Sequence, residues 1–203
     1  HITDTGKLEV RAPRYMPQFI INRFVAAKRD WIIQTKKAML KKPRVGKFLY
    51  REGSVFRLAG NTYVLHITQG NAIVLVGTRL FFPVKFLPVA TYRMGQWLRV
   101  FAKKYLAIRL DYYAHKMGVT YKKIIIRDTS SRWGSCSSSG TISFSYRLVL
   151  ADAPIIDYVV IHELAHVTHQ NHAKMFWDRV GIFYADYVQA RTWLRKYGQT
   201  LKI

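Results

Sequence analysis

The segment from Ile161 to Trp177, IHELAHVTHQNHAKMFW, places four histidines and one glutamate in a stretch otherwise apolar or neutral until Lys174. His162 and His166 are four residues apart, so on a helix turning 100° per residue they leave one face about a turn apart. Ile155, Tyr158, Val159 and Ile161 lead into them as an apolar face, and Asp152 with Pro154 supplies a helix start. The fold must therefore bury one side of this helix and turn two imidazoles on the other side toward a common point.

That spacing lets both imidazoles reach one Zn²⁺ at roughly 2.0–2.1 Å. Glu163 follows the first histidine at the edge of the same face, the position from which a carboxylate takes a proton from a water activated by the ion. Histidines that only cap or pack a helix are the plainer reading. The apolar run and the helix start favour the metal.

A catalytic zinc needs a third protein ligand and an open fourth position. On an unbroken helix His169 lies near the same stripe, yet about 10 Å along the axis from His162, too far for one ion. His172 stands ten residues after His162, the spacing of the motif His-Glu-x-x-His-x-x-Gly-x-x-His, so it can swing in from beyond the helix end. Here His169 occupies the place of that glycine. Asn171, which tolerates left-handed backbone, is the expected turn residue. The expected ligands are His162, His166 and His172, favoured over a set that uses His169; His169 is expected beside the ion, facing substrate or simply exposed.

Along the rest of the chain, Leu8, Val10 and Ala12 alternate with charged residues as a short strand. Ile20, Phe24, Ala27, Trp31 and Met39 recur at helical spacing from Pro17 to about Lys42. From Lys47 to about Val84, β-branched and aromatic residues broken at Gly60-Asn61 and Gly70-Asn71 predict a small antiparallel meander. A second long helix, about Val89 to Lys116, carries Trp97, Phe101, Tyr105 and Ile108 as its apolar stripe, with Arg99, Lys103, Lys104 and Arg109 opposite. Residues 121–128 read as a buried strand. Ile142, Phe144 and Tyr146, alternating with Ser143, Ser145 and Arg147, read as part of a hairpin feeding the histidine helix. Residues 173–197 read as helix interrupted near Gly181.

At 203 residues the chain can bury one good core or two small ones. The expected division is 1–88, a strand, helix and β-rich region, and 89–203, the catalytic region, with the two halves forming one compact unit. The net charge is +22. Residues 1–150 carry 27 Lys/Arg against 6 Asp/Glu, a surplus of 21, and residues 151–203 carry 6 against 5. Such a field attracts polyanions, and non-specific nucleic acid is the partner it suggests, against a face that only keeps the protein soluble. The one cysteine, Cys136, suits a reducing compartment, no apolar run approaches the roughly 20 residues that span a bilayer, and the start lacks a signal peptide's apolar stretch. A cytoplasmic location is expected.

The run SSRWGSCSSSGTISFSYRLVL followed by DYVVIHELAHVTHQNHAKMFW closely resembles the YgjP-like, SprT-related family of bacterial zinc metallopeptidases. The resemblance is dense from Ser131 to Trp177 and fainter upstream. It departs at Ser145, where Asn is usual, and in a longer Leu-Ala-Asp-Ala-Pro. It implies an α+β, zincin-like fold with an antiparallel sheet flanked by helices, Zn²⁺ held by His162, His166 and His172, Glu163 as catalytic acid and base, and a peptide or protein substrate. The SprT relatives include proteases that act on DNA-crosslinked proteins, which keeps a nucleic-acid-associated role as the alternative. Arg132, Trp133 and Cys136 carry two readings, a loop near the zinc that binds substrate and a structural turn with Trp133 as a core anchor.

Overall fold

Pro17 precedes helix α1 (Gln18–Ala27), and Lys28 leaves helical geometry before α2 (Arg29–Leu40). The single helix expected over Pro17 to Lys42 is therefore two. The Lys28 N–H is shared between the Phe24 and Val25 carbonyls, both at 3.1 Å, a tightened last turn that ends α1. The strand expected at Leu8–Ala12 is reduced to one bridge, Ile2 with Leu8. An alternating pattern needs a partner strand, and none faces it among the described residues. In this computed structural model the described residues are Ile2, 7–40 and 48–203, the backbone alone at 38–40. The Met39 side chain, Lys42 and Lys47, named in the expectations, lie outside them. The chain divides into two units, His1–Arg44 and Val45–Ile203, and residues 45–88 share the second unit with 89–203.

The second unit begins with β1 (Val55–Leu58), β2 (Asn61–Thr68), β3 (Val74–Val76) and β4 (Arg79–Pro83), ordered β1-β2-β4-β3. The β1–β2 hairpin closes through Ala59 (φ 49) and Gly60 (φ 84) with Leu58 opposite Asn61, a two-residue loop whose positive φ values match the twist of the strands. The turn thus lies one residue earlier than Gly60-Asn61. The meander expected here is a mixed sheet, because β2 pairs with β4 in parallel. Gly70 and Asn71 make no hairpin; the second tight turn, at Gly77 (φ 55), joins β3 to β4.

Helix α3 (Ala90–Met117) ends at Gly118, whose φ of 63 and ψ of 37 form a left-handed cap. Its buried stripe is Met94, Leu98, Ala102, Leu106 and Leu110, at four-residue intervals. The expected aromatic stripe lies on the flank, where Trp97 stacks on Phe101 at 5.6 Å and Phe101 on Tyr105 at 5.8 Å, and Ile108 is 68% exposed. Compact side chains at the centre let α3 approach its neighbours closely, and rings fill the margin.

A second sheet contains β5 (Lys123–Arg127), β6 (Gly134–Cys136) and β7 (Thr141–Ser145) in the order β5-β7-β6. β5 runs parallel to β7 and β6 antiparallel to it, so this sheet too is mixed rather than antiparallel throughout. β5 is half-buried rather than buried because it is an edge. Central β7 is covered on both faces, so Ser143 and Ser145 are enclosed: Ser145 Oγ donates to the Thr129 carbonyl at 2.7 Å, and Arg127 Nε donates to Ser143 Oγ at 3.3 Å.

The histidine helix α4 (Ala153–Thr168) starts where expected, with Asp152 before it. Ala59 N–H donates to the Val149 carbonyl at 2.6 Å, Arg57 pairs with Asp152 at 2.8 Å, and a Cβ on Gly60 would lie 3.3 Å from Ala153 N. The first hairpin is thereby fixed to the start of α4. α5 (Lys174–Phe183) and α6 (Tyr187–Tyr197) follow. The interruption expected near Gly181 falls at 184–186, and Gly181 stays helical. The core of this unit is one continuous cluster drawn from both sheets and helices α3 to α6. The protein is a mixed α/β fold.

Candidate metal centre

α4 buries Ile156, Val159, Val160, Ile161, Leu164 and Ala165, which leaves His162 and His166 side by side with ring centroids 5.1 Å apart. The helix then ends at His169, whose φ of −131 and ψ of 98 are extended. The terminal carbonyls are met by side chains: Gln170 Nε2 donates to the His166 carbonyl at 2.7 Å and Thr168 Oγ1 to that of Ala165 at 3.2 Å. Asn171 is not left-handed, contrary to expectation. Its Oδ1 accepts the Ala173 N–H at 3.2 Å, an Asx turn that reverses the chain without glycine. His172 is thereby returned to the helix, with its Nε2 3.2 Å from Nε2 of His162.

One nitrogen from each of His162, His166 and His172 lies within 4.8 Å of the others. His166 Nδ1 lies 3.0 Å from the His169 carbonyl, which suits an Nδ1–H donor and leaves Nε2 as the lone pair facing the cluster. His169 therefore acts through its backbone, and its side chain is not one of the three. Among the described residues the buried His162 Nδ1 has no hydrogen-bond partner, so that ring is oriented by packing against Tyr158, Phe176 and Trp177, at 5.8, 4.9 and 5.8 Å. Burial, reinforced by His166, His172 and Arg191, pushes the His162 pKa down to about 3. Burial also lowers that of His166 against the pull of the His169 carbonyl. Three imidazole nitrogens converging on one point are a donor set that zinc takes.

Glu163 is buried, and burial, opposed only by Arg132, pushes its pKa up to about 8. Its carboxyl lies on β6. A Cβ on Gly134 would come within 2.5 Å of Glu163 Oε1, so only glycine leaves room for this side chain. Gly134 stood inside the Trp-Gly-Ser-Cys run, but its role depends on a strand and a helix far apart in sequence. Trp133 is half-buried and packs on Gly198, whose added Cβ would meet the ring at 2.8 Å. Cys136 is half-buried, its thiol pKa raised first by burial and then by the Glu163 charge. Arg132 is exposed near Glu163. Asn171 is exposed and shapes the turn.

Sequence reasoning also passed over the aromatic wall. His172 stacks on Trp177 at 5.6 Å, Trp177 on Tyr187 at 5.2 Å, and the Arg191 guanidinium lies over the Trp177 ring at 4.9 Å. Its local signal was the four-residue spacing of Tyr187 and Arg191 on α6; that Trp177 of α5 meets them depends on packing.

A mixed α/β unit with three converging imidazoles beside a buried carboxyl has the makings of a metal-dependent hydrolase. The chain belongs to the YgjP-like family: the model of the YgjP-like metallopeptidase domain matches residues 1–197. Of solved structures, it is similar to the metallopeptidase zymogen abylysin of Pyrococcus abyssi, at 21% identity and a TM-score of 0.39 over 44% of this chain and 93% of that one. It is similar also to the metallopeptidase zymogen jannalysin of Methanocaldococcus jannaschii, at 17% identity and a TM-score of 0.38 over 43% and 92%. No curated protein matches the chain. Among the described residues no helix is long and apolar enough to cross a membrane.

Proposed function

We propose that the protein is a zinc-dependent peptidase of zincin-like architecture in which His162, His166 and His172 hold the ion and Glu163 is the general base and acid. The observation that carries this reading is the approach of the three imidazole nitrogens to within 4.8 Å on and just beyond the helix that carries Glu163. When bound there, zinc supplies Lewis acidity, polarising a substrate carbonyl and lowering the pKa of water. Glu163 takes a proton from the attacking water and delivers it to the departing amide nitrogen, so one carboxyl serves both halves of the hydrolysis. In the metal-free site burial raises its pKa, so its surroundings strengthen its hold on the proton it takes. Gly134 holds that carboxyl in place by offering it space, and β6, an edge strand beside it, can pair with an extended peptide.

The test is Glu163→Gln, with zinc content and cleavage of an unstructured protein such as casein measured together. The variant is expected to keep one zinc per chain and to lose about 10²–10⁴-fold in turnover, the range of general acid–base catalysis. Full cleavage by a zinc-loaded variant would remove Glu163 from the mechanism. Absence of zinc from the wild type would remove the metal.

A further inference from the structure

Helix α6 ends its contact with the site in an unusual state of charge. Its sequence from Tyr187 to Tyr197 contains Arg191, Arg195 and Lys196 and no acid. Arg191 and Arg195 are both exposed and one turn apart, where like charges repel. Among the described residues neither makes an ion pair or a hydrogen bond. The carboxylates of this half of the chain are engaged elsewhere: Asp152 with Arg57, Asp157 with Arg109, Asp178 with Lys174, and Asp186 with Gln189. Glu163 is buried.

Arg191 is nevertheless held. Tyr187, one turn before it, stacks on Trp177 at 5.2 Å and 18°, and the Arg191 guanidinium lies over the same ring at 4.9 Å. Trp177 in turn stacks on the ligand His172 at 5.6 Å. The guanidinium therefore lies over a ring that itself stacks on a ligand histidine, and among the described residues its N–H groups have no acceptor. A guanidinium presents paired donors in one plane, the geometry that takes a carboxylate in two parallel hydrogen bonds. An extended peptide advances 3.3–3.6 Å per residue, so a substrate carboxylate two or three residues from the scissile bond reaches it.

We propose that Arg191 selects substrates bearing a carboxylate close to the scissile bond, through charge-assisted pairing on the Trp177 platform. This assignment rests on the peptidase reading above. The carboxylate comes either from an Asp or Glu side chain or from the C-terminus of a short peptide.

The experiment uses peptides on a neutral Ala/Gly backbone, each with Glu or Gln at one position near the centre and with a free or amidated C-terminus. Affinity is read by fluorescence anisotropy on chelated Glu163→Gln protein, where no ion competes for the carboxylate, and kcat and KM are read on the zinc-loaded wild type. The Glu peptide, or the free C-terminus, is expected to bind about tenfold or more tightly than its neutral match, mostly as a lower KM. The ratio is expected to collapse to near one in Arg191→Gln, to survive in part in Arg191→Lys, and to shrink with added salt. Which pair shows it identifies the source. Equal affinity for charged and neutral peptides, or a preference that survives Arg191→Gln in folded protein, overturns the assignment. If no peptide is cleaved but the Arg191-dependent preference in binding persists, the peptidase reading fails and the carboxylate site stands. If cleavage occurs with no preference, only the carboxylate site fails.

Discussion

Gly134 shows how a single missing methyl group governs the candidate chemistry. Its φ lies outside the positive range, so alanine is acceptable to the backbone, and the tightest contacts of an added Cβ are all with Glu163, whose Oε1, Cγ and Cδ would sit 2.5, 2.6 and 2.7 Å away. Gly134→Ala is expected to displace the carboxyl by about an ångström while leaving the three histidines in place. Overpacking of this kind costs about 1–3 kcal/mol, and misplacement of a reacting group by that distance costs up to about 10²-fold in rate. Zinc content should therefore match the wild type while kcat falls 10- to 100-fold. Wild-type turnover in the variant would mean that Glu163 has room the geometry denies it. His162, Glu163 and His166 were legible from spacing alone, because helical neighbours are local. Gly134 and the His169 carbonyl were not, since what they do depends on which atoms tertiary packing brings to them.

At the scale of elements, the position of α4 depends on its tie to α3. Arg109 Nε and Nη2 donate to the two oxygens of Asp157 at 2.7 and 2.6 Å, and Tyr113 Oη donates to the same carboxylate at 3.1 Å. The Asp157 side chain is only 13% exposed and that of Arg109 29%. Asp157→Ala leaves a partly buried guanidinium and a phenol without their acceptor, and is expected to destabilise the fold by about 2–3 kcal/mol. Urea unfolding should show a lower midpoint at unchanged m, with zinc stoichiometry retained, because the ligands lie on other turns. A loss below about 0.5 kcal/mol would demote this pair to an ordinary surface contact. The start of α4 was readable from Asp152 and Pro154, because helix-start signals are local. The strand pairings were not. The parallel pairs β2–β4 and β5–β7 join segments separated by other elements, and alternation in a single strand carries no record of its partner.

For the molecule as a whole, folding the second unit encloses two titratable groups whose costs run in opposite directions with pH. His162 is held neutral, its pKa taken from 6.5 to about 3, so the unfolded chain binds the proton more tightly and stability drains away as pH falls from 6.5 toward 3. Glu163 is the reverse: with its pKa taken from 4.5 to about 8, the folded chain binds the proton more tightly. Its stabilisation is present in full below 4.5 and is lost as pH rises through 8. Glu163→Gln removes only the second dependence. In chelated protein the two contributions offset each other between about pH 5 and 7, so the wild type should vary little there, whereas Glu163→Gln should gain stability as His162 alone is relieved. From pH 5 to pH 9 the variant's stability relative to the wild type should rise by about 3–4 kcal/mol, since each tenfold difference in proton affinity between the folded and unfolded chain is worth about 1.4 kcal/mol. Urea midpoints at pH 5, 7 and 9 measure this, and titrations common to both proteins cancel in the difference. Parallel curves for the two chelated proteins would show that the Glu163 carboxyl is solvated rather than enclosed against β6, and the case for it as a proton carrier near neutrality would go with it.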